Sequence, residues 1–139
     1  MNPRPQGNVR VFSHGILRIP FLESLLGAEI VPSGLNRRKE FAAVAGWGKR
    51  PNTGKVIEYA SRHGVPYIAL EDGFLRSFGT GQNSFRLSLV IDDLGIYYDS
   101  AVPSALEALL NSAADVFNGL EEDVLRAKSV LLAQRLSKY

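Results

Sequence analysis

The stretch Val65-Pro66-Tyr67-Ile68-Ala69-Leu70-Glu71-Asp72-Gly73-Phe74-Leu75-Arg76-Ser77 decides the fold. It opens as a short apolar run, Pro66 to Leu70, bounded by a turn signal, which predicts a strand. Two adjacent carboxylates, a glycine and an arginine then fall just past the strand's C-terminal end. In open α/β sheets that rim is where ligands bind. The pattern recurs in Leu87-Ser88-Leu89-Val90-Ile91, closed by Asp92-Asp93-Leu94-Gly95-Ile96-Tyr97-Tyr98-Asp99. Two acid-tipped strands in one small domain point to sugar or acid–base chemistry.

The flanking sequence supplies the other elements. Val9-Arg10-Val11-Phe12 alternates apolar and polar and breaks at Ser13-His14-Gly15, a first strand and its loop. Pro20 suits a helix first turn, Phe21, Leu22, Leu25 and Leu26 form a stripe at helical spacing, and Gly27 suits the C′ position. Ala28 to Val31 reads as a second strand, and Phe41 to Ala45 as a buried third, ending at Gly46-Trp47-Gly48. Thr53 is placed to cap a helix bearing Val56, Ile57 and Ala60, closed by Gly64. The glycine-rich segment Ser77 to Phe85 reads as a loop. Ser104 and Glu107 fit a capping box ahead of Leu106, Leu109, Leu110 and Ala113. A last helix begins near Glu121-Glu122-Asp123, where acids suit the helix dipole, with Leu125, Leu132 and Leu136 as its stripe. Strands alternating with helices predict an α/β domain, a parallel sheet flanked by helices on both faces.

Composition narrows the classes of function. A chain of 139 residues suits one domain, and 45% hydrophobic with 22% charged residues suits a packed core. The polar lead, residues 1–8, lacks the apolar stretch of a secretory signal and reads as disordered, which leaves 9–139 as the domain. No apolar run approaches the roughly 20 residues that span a bilayer, so the default location is the cytoplasm. The net charge of +2 does not argue for nucleic acid, and Arg37-Arg38-Lys39 reads as a solvated face. Without cysteine there is no disulfide framework or thiol chemistry, and two distant histidines argue against a histidine-rich metal site; no metal is expected.

Several residues are candidates for chemistry. Adjacent side chains on an extended segment point to opposite sides, so one of Glu71 and Asp72 can face a cleft and take a proton from a sugar hydroxyl. Helix capping is their bland role. Asp92, Asp93 and Asp99 invite Mg²⁺ binding, yet a turn in which carboxylates accept backbone N–H bonds is the favoured reading. Gly79-Thr80-Gly81-Gln82-Asn83-Ser84 lacks the third glycine of a dinucleotide fingerprint and the Walker lysine. Trp47, with Lys49 and Arg50, sets an aromatic and two cations at a strand end, fit either for an anionic sugar or for core packing. Arg76 and Arg86 can bind an anionic sugar or pair with the nearby acids. His14 is a weak candidate on an exposed loop.

Four ordered motifs carry a resemblance: Phe12-Ser13-His14-Gly15-Ile16-Leu17-Arg18-Ile19-Pro20, Gly46-Trp47-Gly48-Lys49-Arg50-Pro51, Leu70 to Ser77, and Leu87 to Asp99. Together they resemble the start of the KpsC family of capsule polysaccharide biosynthesis/export proteins, from about Val9 through Pro103-Ser104-Ala105-Leu106-Glu107 to Ser137-Lys138-Tyr139. The resemblance implies a retaining β-Kdo glycosyltransferase, moving 3-deoxy-D-manno-oct-2-ulosonic acid (Kdo) from CMP-Kdo to a lipid-linked acceptor in Gram-negative capsule assembly. It implies a Rossmann-like domain, the N-terminal, acceptor-side half of a GT-B module. The family's acid-acid-glycine motif matches Glu71-Asp72-Gly73, which makes Glu71 and Asp72 the candidate acid/base pair. Gly73, Arg76, Trp47, Lys49 and Arg50 are then candidates for substrate binding, and Asp92, Asp93 and Asp99 secondary. The expected donor is CMP-Kdo, with no further cofactor. Expected partners are the lipid-linked Kdo acceptor, a C-terminal nucleotide-binding domain and capsule assembly or export proteins, with no nucleic acid. The family's nucleophilic aspartate and CMP-gripping residues lie beyond Tyr139, so this chain alone is expected to be inactive. A peripheral place at the inner membrane face fits that role. The rival expectation is a non-catalytic α/β module or truncated remnant that binds an anionic glycan or an assembly partner.

Overall fold

The computed structural model describes residues 7–34, 40–75, 86 and 88–135. Five strands form one sheet: β1 (Val9–Val11), β2 (Ile30–Pro32), β3 (Ala43–Trp47), β4 (Tyr67–Asp72) and β5 (Leu89–Asp92), in the order β2-β1-β3-β4-β5. The first four pair in parallel. The fifth runs antiparallel to β4, with Glu71 opposite Val90 and Asp72 opposite Leu89. The fold is thus the expected α/β class with a mainly parallel sheet, carrying one antiparallel edge strand. Periodicity identifies a strand but not its direction, and an antiparallel neighbour needs no crossover helix. Pairing with β5 also extends β4 through the two carboxylates, which lie in the strand's last two positions.

The core lies on one face of the sheet. Val9, Val11, Ala43, Ala45, Ile68 and Leu70 pack against Ile16, Ile19, Leu22 and Leu26 from α1 (His14–Leu17), α2 (Leu22–Leu26) and their connection. The sequence expectation of a loop at Ser13-His14-Gly15 is replaced by the short α1, capped by the Ser13 hydroxyl, which accepts the Ile16 N–H at 3.4 Å. Helix α2 begins after Pro20 rather than at it, because Phe21 adopts a left-handed backbone (φ 55°). Gly27 closes α2 as expected: it adopts φ 65° and its N–H donates to the Glu23 carbonyl at 2.7 Å.

Helix α3 (Gly54–Arg62) packs on β3 and β4 from the other side. Thr53 does not cap it by a side-chain bond; its hydroxyl donates instead to the Trp47 carbonyl at 2.8 Å, tying the start of α3 to the end of β3. Arg10 is buried although its strand alternates, because β1 is central and covered on both faces. Its guanidinium donates to the Tyr59 hydroxyl at 3.0 Å and lies 4.3 Å from the Phe41 ring centroid.

Helices α4 (Ala105–Leu110) and α5 (Glu121–Ala133) follow the sheet. Ser104 caps α4 by accepting the Glu107 N–H at 3.0 Å, as the capping motif predicts. Neither helix contains a buried residue, and Leu110, Leu125 and Leu132 are largely exposed. Their apolar stripes therefore do not serve as the sheet's covering layer. The expected loop from Ser77 to Phe85, and Arg37-Arg38-Lys39, lie outside the described residues.

Candidate functional site

The parallel register brings the C-terminal ends of β1, β3 and β4 side by side: Val11 lies opposite Ala45, and Trp47 opposite Leu70. The rim they form carries Ser13 and His14, then Trp47 to Arg50, then Glu71 and Asp72. Trp47 and Leu70 share a face by register, and Asp72, two residues beyond Leu70, shares it too. Glu71 points to the opposite face, with Tyr67 and Ala69. The pair therefore presents one carboxylate to each side of the sheet edge.

Each carboxylate meets its own guanidinium. Arg86 Nε donates to Asp72 Oδ1 at 2.7 Å, and Arg50 Nη2 lies 3.5 Å from Glu71 Oε1. Both arginines converge on Trp47, Arg86 at 5.0 Å and Arg50 at 6.0 Å from the ring centroid. Trp47 also packs against the core cluster, so its anchoring and rim roles coexist. Arg86 enters the site through its pair with Asp72, the second of the two uses the sequence allows it. Arg76 and the segment Gly79 to Ser84 lie outside the described residues.

Gly73 has no room for a side chain. An added Cβ would meet the Ser88 side chain and, at 2.9 Å, its backbone carbon, while the Gly73 N–H donates to the Ser88 carbonyl at 3.1 Å. Its observed role is to let β4 and the approach to β5 lie close together. Gly48 is similarly required: it adopts φ +41°, and a Cβ there would strike the Tyr98 hydroxyl.

Lys49 is engaged within the chain. Its Nζ pairs with Asp99 Oδ2 at 2.5 Å, and its N–H donates to the Tyr98 hydroxyl at 3.2 Å. Tyr67 braces the same turn by donating to the Gly48 carbonyl at 2.7 Å, and burial, with Tyr98 nearby, pushes its phenol well above the ordinary range. Sequence reading missed Tyr67 as a site-building residue, and missed the tie of Tyr98 to the Gly48 turn. Tyr67 reads simply as strand, and nothing local links Tyr98 to a turn fifty positions earlier.

The Lys49 hydrogen bond, and then the Ala101 N–H, hold the Asp99 carboxyl below its ordinary value of 3.8. Because the folded value is depressed, the pair's contribution is complete above the ordinary value and is lost as pH falls through the lower folded one. In a carboxyl-carbon NMR titration Asp99 is expected to have its midpoint below 3.8. Lys49→Met should return it toward that value; an unmoved midpoint would refute the latch.

Asp92 is buried, and its oxygens serve the backbone. Oδ1 accepts the N–H groups of Leu94 (3.0 Å), Gly95 (2.8 Å) and Ala105 (3.0 Å), and Oδ2 also reaches Ala105 N–H at 3.0 Å. It joins the end of β5 to the start of α4. Asp93 is exposed. Among the described residues no three histidine or acidic side chains gather into a cation site.

The capsule polysaccharide biosynthesis protein family matches residues 42–139. Over 134 residues the chain is 43% identical to the capsule polysaccharide modification protein LipA of Neisseria meningitidis serogroup B, covering 95% of this chain and 18% of that protein. Over 83 residues it is 43% identical to the lipopolysaccharide-processing protein LpsZ of Rhizobium meliloti, covering 58% of this chain and 19% of that one. Among solved structures it resembles Thermosulfurimonas dismutans KpsC, a beta Kdo 2,4 transferase, with 40% identity and a TM-score of 0.77. That match covers 95% of this chain and 41% of the solved one. The chain thus spans under half of the solved relative and about a fifth of the curated ones.

Proposed function

The chain belongs to the capsule polysaccharide biosynthesis protein family, and we propose that it forms the acceptor-side half of a β-Kdo glycosyltransferase of GT-B architecture. The observation that carries this reading is the Glu71–Asp72 pair at the sheet's C-terminal rim, each carboxylate beside a guanidinium gathered round Trp47. Similarity to a beta Kdo 2,4 transferase over nearly the whole chain supports it.

On this reading Kdo leaves CMP for a carboxylate nucleophile in the complementary half, forming a glycosyl–enzyme bond. The acceptor hydroxyl then attacks that carbon: a new C–O bond forms, the bond to the nucleophile breaks, and the hydroxyl proton passes to Glu71 or Asp72. Two displacements at one carbon retain its configuration. Arg50 and Arg86 can exchange their carboxylate partners for the carboxylate of an anionic acceptor. The acceptor is a lipid-linked Kdo at the inner membrane face, and CMP-Kdo is held by the other half.

The rival, a non-catalytic module that docks an assembly partner, is favoured by the exposed leucines of α4 and α5. A transfer assay tests the two-half reading. Purified chain, incubated with CMP-Kdo and a Kdo-lipid, is expected to give no product and no calorimetric signal with CMP-Kdo. Turnover by the chain alone would overturn the two-half reading.

A further inference from the structure

Beside the acidic pair lies an aromatic step that the proton-transfer scheme does not use. Phe74 and Tyr97 sit with ring centroids 5.5 Å apart at 49°, and Tyr97 and Tyr98 5.4 Å apart at 81°. Phe74 is 54% and Tyr98 49% exposed. The step is braced rather than loose. The Tyr98 hydroxyl accepts the Lys49 N–H, and Lys49 is itself latched to Asp99. The Tyr98 hydroxyl and Glu71 Oε2 both lie against Gly48, so the step begins where the candidate proton acceptor ends. At the same turn stands Arg50, whose side chain is 61% exposed and whose contact with Glu71 is long, at 3.5 Å.

We infer that Phe74, Tyr97 and Tyr98, with Arg50 at their edge, form a stacking subsite for a carboxylate-bearing sugar ring of the acceptor. A pyranose ring has a C–H face that packs on aromatic carbon, and hydroxyl edges that suit a polar rim. A guanidinium carries five donors in a planar fork, more than one long contact to Glu71 uses, and it matches a carboxylate two oxygens at a time. Rings held in place before the ligand arrives lose little freedom on binding. A ring stacked here is flanked by Glu71, so the adjoining sugar or its hydroxyl falls at that carboxylate. The assignment rests on the acceptor-side reading above for the ligand's identity, and on the step itself for its position.

The test is an NMR titration of the full chain, labelled at phenylalanine and tyrosine, with the methyl glycoside of β-Kdo and with uncharged methyl β-glucoside as control. The Kdo glycoside is expected to bind weakly, in the millimolar range, and to shift the ring signals of Phe74, Tyr97 and Tyr98. The glucoside should bind roughly ten-fold more weakly, as loss of one charge-assisted hydrogen bond implies. Arg50→Gln should erase that difference, and Phe74→Ala should weaken binding of both sugars. Both positions are exposed, so folding is retained, and an unchanged backbone spectrum checks it. Absence of ring shifts at tens of millimolar glycoside, or equal binding of the two sugars, would overturn the subsite. Ring shifts that follow protein concentration instead of sugar would assign the step to self-association and equally overturn it. Because this readout is binding without turnover, its failure leaves the role of Glu71 and Asp72 to be judged by the transfer assays.

Discussion

If the Glu71–Asp72 pair supplies the proposed proton acceptor, replacing that member by its amide is expected to lower Kdo turnover by roughly 10²–10⁴-fold in an intact transferase carrying this domain, the usual contribution of a positioned general base. Glu71→Gln and Asp72→Asn keep size and shape while removing basicity, so the loss falls on turnover. Affinity for CMP-Kdo is expected to stay nearly constant, because the acceptor-side proposal places the donor on the other half. The two positions also differ in their surroundings. Asp72 accepts a 2.7 Å bond from Arg86 on the face of Trp47, whereas Glu71 stands by the Gly48 turn with a 3.5 Å contact to Arg50. The member that serves structure lowers the melting temperature when replaced and leaves turnover within a few fold. Steady-state rates with thermal melts on each variant separate the roles. Near-parental turnover in both would remove the pair from the chemistry.

Asp92→Ala is expected to lower the stability of the chain by about 2–4 kcal/mol. It strips the acceptor from three N–H groups, the Gly95 bond buried and the Leu94 and Ala105 bonds part-buried, and a buried donor left unmade costs about 1–3 kcal/mol. In a domain of this size that corresponds to a fall in melting temperature of about 8–15 °C. Asp92→Asn should cost less, because its amide oxygen can still accept from Leu94 and Gly95 while its NH₂ confronts the Ala105 N–H. Asp93→Ala, on the exposed neighbour, should change stability by about 1 kcal/mol at most. A melt of Asp92→Ala within 2 °C of the parent, a shift of about 0.5 kcal/mol, would contradict this account of the turn.

The central strands were legible because β3 and β4 are short apolar runs and β1 alternates apolar and polar before a break at Ser13-His14-Gly15, and the residues so marked, Val9, Val11, Ala43, Ala45, Ile68 and Leu70, form the core. Gly27 and Ser104 were legible because helix ends have local chemistry. What local pattern cannot carry is direction and distance. The alternation of Leu89 to Asp92 marks a strand but not that it runs antiparallel to β4. The burial of Arg10 depends on Phe41 and Tyr59, supplied by other elements. Leu110 of α4 and Leu125 and Leu132 of α5 look like core in sequence and stand exposed in space. At the site, sequence placed Glu71 and Asp72 just past a strand, whereas pairing with β5 carries β4 through both of them. The links of Lys49 to Asp99, and of Arg86 to both Asp72 and Trp47, join distant segments and become visible only in the fold.

The most direct test of the acceptor-side account is the initial rate of Kdo transfer by a hybrid enzyme. In it this chain replaces the matching segment of the Thermosulfurimonas dismutans transferase, to which it is 40% identical. The hybrid is expected to transfer Kdo from CMP-Kdo to a Kdo-bearing acceptor, and the Glu71→Gln/Asp72→Asn double variant, folded to the same melting temperature within a few degrees, to lose that transfer. A folded double variant that transfers Kdo at the parental rate would contradict the assignment of this domain as the source of the acceptor-side carboxylate.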